Sequence, residues 1–147
     1  MNTPLSTPLF SLPMSVPFQD IDAAGIVFFA RIFDYFHNSF VAHLGARGVS
    51  LPAVIASSEW GAPLAHVEAD YKLPLRFGDQ VRAEIVRVEL GETSFTIHHR
   101  IVSSDEKARL HASGKTVHVV IDRKTFRPRP LPPELRAAYQ PTSAAVS

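Results

Sequence analysis

A chain of 147 residues has the length of one domain with one core, and 46% hydrophobic with 20% charged residues is ordinary globular composition. A formal net charge of +1 supplies no broad basic field, so nucleic acid is not an expected partner and any anionic ligand needs a local cluster of cations. With no cysteine there is no disulfide, thiolate nucleophile or sulfur-ligated metal, and covalent catalysis would fall to Ser, Thr, Asp or Glu.

In chain order, the apolar N-terminus is interrupted by Pro4, Pro8, Pro13 and Pro17, and no Lys or Arg precedes Arg31. Residues 1–13 therefore read as an extended arm, not as a signal peptide. No run of about 18 apolar residues occurs, so no transmembrane helix, no membrane partner and a cytoplasmic location are expected. From Ala30 to Leu44, apolar Ile32, Phe33, Phe36, Phe40, Val41 and Leu44 follow the spacing of a helix with a wide buried face, with Gly45 as its expected terminator. The stretch SLPAVIASSEWG predicts a second, short helix before Gly61 and Pro63.

Beyond Pro63 the period becomes two. Ala65, Val67, Ala69, Tyr71 and Leu73 share one face of a strand predicted to be half-buried, and His66, Glu68, Asp70 and Lys72 the other. QVRAEIVRVELG alternates but slips phase between Ile85 and Val86, which predicts a bulge. TSFTIHHRIV and ARLHASGKTVHVVID continue the alternation, the latter with an expected slip near Gly114-Lys115. LGET and SSDEKA read as turns, so the strands from Ala62 to Asp122 predict an antiparallel meander. Residues 123–147 form a Pro-rich, basic tail in which PPELRAAY predicts a last helical turn. The whole predicts a single α+β domain, a curled antiparallel sheet around one long helix.

Several chemistries are disfavoured by counting. SGKT lacks the glycine of a phosphate-binding loop, since Arg109 stands five residues before Gly114. There is no G-x-S-x-G and no H-E-x-x-H, while His98 and His99 are neighbours on a strand and point to opposite faces. No metal site and no cofactor are expected. What stands out is FQDIDAAGIVFFARIFDYFHNSF, where Asp20 and Asp22 precede small residues and the aromatic helix. Two readings of these carboxylates stay open, a helix cap and a carboxylate beside the free N–H groups of a helix start, the latter a constellation for acyl transfer.

The segment DIDAAGIVFF, followed by HVEADYKLPLRFGDQVRAEIVRV and ASGKTVHVVID, resembles the 4-hydroxybenzoyl-CoA thioesterase family of hotdog-fold proteins over residues 16–122. The resemblance implies a hotdog fold, thioester hydrolysis with Asp22 as catalytic carboxylate, and the backbone N–H of Phe29 polarising the thioester carbonyl; Gly25, the last of the small residues Ala23-Ala24-Gly25 that let a backbone or ligand approach closely, is counted with this catalytic set. Part of the family carries histidine where this chain has Phe29, and an aromatic residue there points to aromatic acyl groups, 4-hydroxybenzoyl- or dihydroxynaphthoyl-type. Phe33 and His37 lie one and two turns along the helix and are candidate acyl-pocket residues. Lys115, Arg123 and Lys124 are candidate contacts for CoA phosphates, and His66 a candidate for a neighbour's site. The family pattern implies a homodimer or homotetramer with active sites at the dimer interface. The rival readings are a short- or medium-chain fatty acyl-CoA thioesterase and a non-catalytic acyl-CoA or acyl-carrier binding module.

Overall fold

The computed structural model describes residues 4–139. Strands β1 (Phe10–Ser15), β3 (Leu64–Tyr71), β4 (Gln80–Leu90), β5 (Ser94–Ser103) and β6 (Leu110–Val119) form one antiparallel sheet in the order β1-β4-β5-β6-β3. β2 (Trp60–Gly61) and β7 (Ile121–Asp122) pair separately. The expected meander holds for β4, β5 and β6 only. β3 lies not beside β4 but at the far edge against β6, and β1 takes the other edge, where Pro13 breaks no central ladder.

Helix α1 (Arg31–Ala46) packs its apolar stripe on the inward face of the sheet. Ile32, Tyr35 and Phe36 join one cluster with Val81, Ala83, Ile101 and Ala112. One turn on, Phe40 and Leu44 join a second with Ile85, Phe95 and Ile97. Each fully buried large side chain contributes roughly 1.5–3 kcal/mol of transfer free energy, so this one helix nucleates both halves of the core. It does not end at Gly45. Gly48, at φ +86°, donates to the Gly45 carbonyl, and the Val49 amide reaches back to Leu44 at 2.9 Å, a Schellman closure that needs the left-handed residue three positions later. Helix α2 (Leu51–Ser57) follows, its first turn capped by Ser50 Oγ accepting from the Ala53 amide. Helix α3 (Pro133–Tyr139) buries Leu135 and Ala138 against the second cluster.

Three bulges bend the sheet. Val86 is extra between Ile85 and Arg87, where the slip was predicted. Ala65 is extra in β3 and His111 in β6. The slip expected near Gly114-Lys115 is absent: Glu68 pairs Lys115 and Ala69 pairs Gly114 in unbroken register. β3 is also not half-buried. As an edge strand it leaves Leu64, Val67 and Tyr71 exposed, and only Ala69 is partly covered. On the outward face the buried pair Glu84–Arg100, at 2.7 Å, is overlaid by the N-terminal arm, whose Ser6 carbonyl and hydroxyl accept from the Arg100 guanidinium. Among the described residues no single helix is long and apolar enough to cross a membrane.

Candidate active site

Residues 21–27 make a tight reversal: Ile21 bridges Val27, the Asp22 amide donates to the Ile26 carbonyl at 2.9 Å, and the Gly25 amide to the Asp22 carbonyl at 3.0 Å. Gly25 sits at φ +81° with nothing within 4 Å of where a Cβ would be. Its requirement is therefore backbone conformation, not close approach. The reversal is held against the loop after β3 by the Val27 amide, which donates to the Leu75 carbonyl at 2.8 Å.

The two aspartates have separate roles in this turn, and neither caps α1, whose N-cap is Ala30 with no side-chain hydrogen bond. Asp20 Oδ2 accepts a 2.6 Å bond from the Tyr35 hydroxyl, and Arg31 lies 3.6 Å from Oδ1. Burial, then this hydrogen bond, pushes the Tyr35 phenol far above its ordinary range. Asp22 Oδ1 accepts from the Ala24 amide at 2.8 Å, which fixes the carboxylate and leaves Oδ2 without a partner among the described residues.

The chain then enters α1 with its amides in a definite order. Phe28 N–H donates to the Asp20 carbonyl and Arg31 N–H to the Phe28 carbonyl, each at 2.9 Å. Between them the amides of Phe29 and Ala30 find no acceptor among the described residues. They lie at the positive end of the α1 dipole, where an anion is favoured. Tyr71, from β3, donates a 2.6 Å hydrogen bond to the Phe29 carbonyl and so holds this peptide in place. The Phe29 side chain itself is 61% exposed and does not pack in the core.

Asp22 and Phe29 open onto one cleft of about 400 Å³, walled by Ile26, Val27, Ile32, Leu75 and Ala112, with Tyr71, Lys72 and His111 as its further polar members. A fixed carboxylate and a free amide donor lining one largely apolar cleft can deprotonate a nucleophile and stabilise an oxyanion. Tyr71, Lys72 and His111 were not singled out from sequence. A larger concavity of about 940 Å³ lies on the opposite face of the sheet, around Glu84, which is paired with Arg100 at 2.7 Å and with Arg82 at 3.1 Å.

The other sequence candidates lie elsewhere. Phe33 is half-buried, edge-on to Phe36, and with the exposed His37 borders a narrow gap beside Leu64 and Val67. His37 and Arg123 line a separate apolar cavity of about 430 Å³ between α1, α2 and β2. His66 and Lys115 both contact Glu68, at 3.2 Å each, on the outward surface of β3 and β6. The Lys124 amide closes the turn after β7 on Asp122 Oδ1. No group of three or more potential metal ligands gathers among the described residues.

The comparisons with known proteins converge. Residues 16–139 match the family model of the thioesterase-like superfamily. The chain is 32% identical over 117 residues to the 1,4-dihydroxy-2-naphthoyl-CoA hydrolase of Rippkaea orientalis, covering 80% of this chain and 85% of that protein. With the enzyme of the same name from Acaryochloris marina it shares 30% over 133 residues, 90% and 97% of the two chains. Among solved structures, the 1,4-dihydroxy-2-naphthoyl-CoA thioesterase from Synechocystis superposes with a TM-score of 0.82 at 26% identity, over 88% of this chain and 93% of that one. A gentisyl-coenzyme A thioesterase superposes at 0.78 with 27% identity, over 88% and 99%.

Proposed function

Because the chain belongs to the thioesterase-like superfamily and has the hotdog fold, we propose that it hydrolyses the thioester of an aromatic acyl-CoA to the free acid and CoA. It is a thioester hydrolase. The observation that carries the site assignment is the shared cleft of Asp22 and Phe29, one a carboxylate with a free oxygen, the other a free amide at a helix start.

The thioester carbonyl oxygen takes the Phe29 N–H, and Asp22 Oδ2 acts as general base on a water molecule. The water oxygen bonds to the carbonyl carbon while its proton passes to Oδ2. On collapse the C–S bond breaks, the electron pair leaves on sulfur, and the proton on Asp22 neutralises the thiolate. Each oxyanion donor in such sites is worth roughly 3 kcal/mol. A single turnover in heavy-oxygen water should place the label in the released acid. Unlabelled first-turnover acid would instead mean direct attack by the carboxylate through an anhydride.

The substrate class is a hydroxylated aromatic acyl group, supported by the relatives' dihydroxynaphthoyl and gentisyl thioesters and by the aromatic side chain at Phe29. The 4-hydroxybenzoyl thioester belongs to the same panel. Phe33 and His37 continue the acyl-facing side of α1, and Lys72 is the cation beside the Asp22 cleft for the CoA portion. In a cytoplasmic homodimer or homotetramer, the uncovered β3 edge with Leu64, Val67 and Tyr71 is the surface a second copy would close, bringing His66 and Lys115 toward a neighbour's site. Light scattering that returns a monomer at micromolar concentration would refute this assembly. The deciding experiment is thiol release over a panel of aromatic and aliphatic acyl-CoAs. Faster release from an aromatic member is expected, and a medium-chain fatty acyl preference would overturn the substrate class.

A further inference from the structure

We infer that His111 is the specificity-determining residue of the Asp22 cleft: its Nε2 accepts a hydrogen bond from a hydroxyl group on the ring of the acyl substrate. This rests on the reading of that cleft as the thioester site. The first observation is the backbone. Ile101 pairs Ala112 and Val102 pairs Leu110, so His111 is the extra residue of a bulge with no partner on β5. A bulge re-aims a side chain out of the alternation of its strand. The bulged carbonyl is held by two amides at once, Lys72 at 2.8 Å and Leu73 at 3.1 Å, so the ring is presented from a braced position.

The second observation is the imidazole itself. It is buried, lines the cleft with Asp22, and has Nδ1 3.2 Å from the Pro74 carbonyl. A carbonyl oxygen only accepts, so Nδ1 is the donor in this contact, and in the Nδ1–H tautomer Nε2 is the acceptor. Nε2 has no partner among the described residues, yet it is not one of the buried side-chain atoms sealed away without one. The walls around it are apolar, Ile32, Leu75 and Ala112 among them.

An acceptor in such surroundings is satisfied by water while the cleft is open and takes a donor from the ligand when a bound acyl group displaces that water. The thioester carbonyl and sulfur are acceptors and cannot serve. The donors an aromatic acyl-CoA brings are ring hydroxyls and the amides and hydroxyls of CoA, and only the first differ between acyl groups. A site built to bond a substrate hydroxyl rejects the analogue lacking it, because its own polar group is then left unpaired.

The test uses the matched thioesters of 1,4-dihydroxy-2-naphthoic acid and 2-naphthoic acid. The parent protein should show kcat/KM higher by roughly tenfold or more for the dihydroxy member. In His111→Asn the short amide can still donate toward Pro74 but nothing replaces Nε2, and the ratio should fall toward unity. In His111→Gln the longer amide oxygen reaches the Nε2 position and should restore part of it. Calorimetry with the two free acids makes the same comparison without turnover, with His111→Asn weakening only the dihydroxy acid. A parent that does not distinguish the two rings overturns the inference, as does an equal loss on both thioesters in His111→Asn, which would place Nε2 on CoA or on the water. Failure of the parent to cleave either thioester would refute the naphthoyl substrate reading, while the free-acid comparison would still decide the role of His111.

Discussion

The Tyr71 hydroxyl donates a 2.6 Å hydrogen bond to the Phe29 carbonyl, tying the edge strand β3 to the peptide that precedes α1 across 42 residues of chain. The partner is a backbone atom, so the bond fixes geometry whatever side chain stands at position 29. That carbonyl shares its peptide plane with the Ala30 N–H, and the Phe29 N–H, the free donor on the cleft, is attached to the same residue one Cα away, so the Tyr71 bond restrains the residue that carries the donor. Tyr71→Phe removes the donor and keeps the ring. A neutral hydrogen bond is worth about 1 kcal/mol, which converts to about fivefold in rate if its whole value is expressed in the transition state. The expected outcome is a kcat lower by about that factor with KM little changed, measured by thiol release. A rise in KM alone would make Tyr71 a binding residue.

Gly114 shows how packing constrains a residue that sequence alone presents as part of SGKT. A Cβ there would overlap the Glu68 carbonyl oxygen and lie 2.8 Å from Phe36 Cε2, because β3, β6 and α1 converge on this point. Neither a backbone oxygen in a ladder nor a fully buried ring can withdraw freely. Gly114→Ala should lower stability by about 1–3 kcal/mol or more, read as a drop in Tm with a matching loss of soluble yield. An unchanged Tm would mean that β3 moves away without cost.

The legible parts of this molecule were those set by local period. The apolar stripe of α1, the alternation of β4 to β6 and the bulge at Val86 follow from neighbours a few residues apart. The motif around Asp22 was also legible, because its turn and its helix start are contiguous in the chain. What escaped depends on distant partners. The placement of β3 beside β6 is a choice among edges that alternation does not specify. Tyr71 read as an inward apolar residue, since its acceptor lies in another element. His111 was hidden by its bulge: strict alternation sets it opposite Leu110 and Ala112, and only the β5 register reveals that it leaves that pattern. Lys115 reads as a free cation until the register brings Glu68 opposite it.

Buried histidines make the fold sensitive to mild acid. Burial holds His43 down to about 4 and His99 to about 3, against an ordinary value near 6.5, and burial lowers His118 as well. His99 stacks on Phe36 and His118 on Phe95, so protonation would place charge in the core. With folded-state values below unfolded ones, the unfolded chain binds more protons under pH 6.5, and stability falls as pH falls. The loss starts just below 6.5 and grows by about 1.4 kcal/mol per pH unit for each proton taken up only on unfolding. Near and below pH 4.5 the exposed carboxylates of Glu68, Asp105 and Asp122, lowered first by bonds from Lys115, Ser103 and Thr125, act in the same direction. A Tm that declines steadily from pH 6.5 to 5 is expected. A flat Tm over that interval would show that these rings accept protons in the folded state.

The closest test of the site sets Asp22 against Asp20, two carboxylates separated by one residue and held by different partners. Asp20 is engaged by the Tyr35 hydroxyl and faces Arg31, both within the fold. Asp20→Asn keeps an acceptor for Tyr35 but loses the charge, so its cost belongs to stability, about 1 kcal/mol or 2–4 °C in Tm for a chain of this size. Its turnover should stay within a few fold of the parent. Asp22 spends one oxygen on the Ala24 amide, which an Asn side chain reproduces with its carbonyl oxygen, and offers the other to the cleft. Asp22→Asn therefore preserves the turn and removes only the base. It should fold with a Tm near the parent's and lose ~10²-fold or more in turnover, the scale of a deleted general base. Chromatography and circular dichroism establish that both variants fold, and thiol release on the same aromatic thioester ranks them. If Asp22→Asn turns over like the parent while Asp20→Asn does not, the reacting carboxylate is Asp20, and the Tyr35 hydroxyl becomes part of the catalytic apparatus.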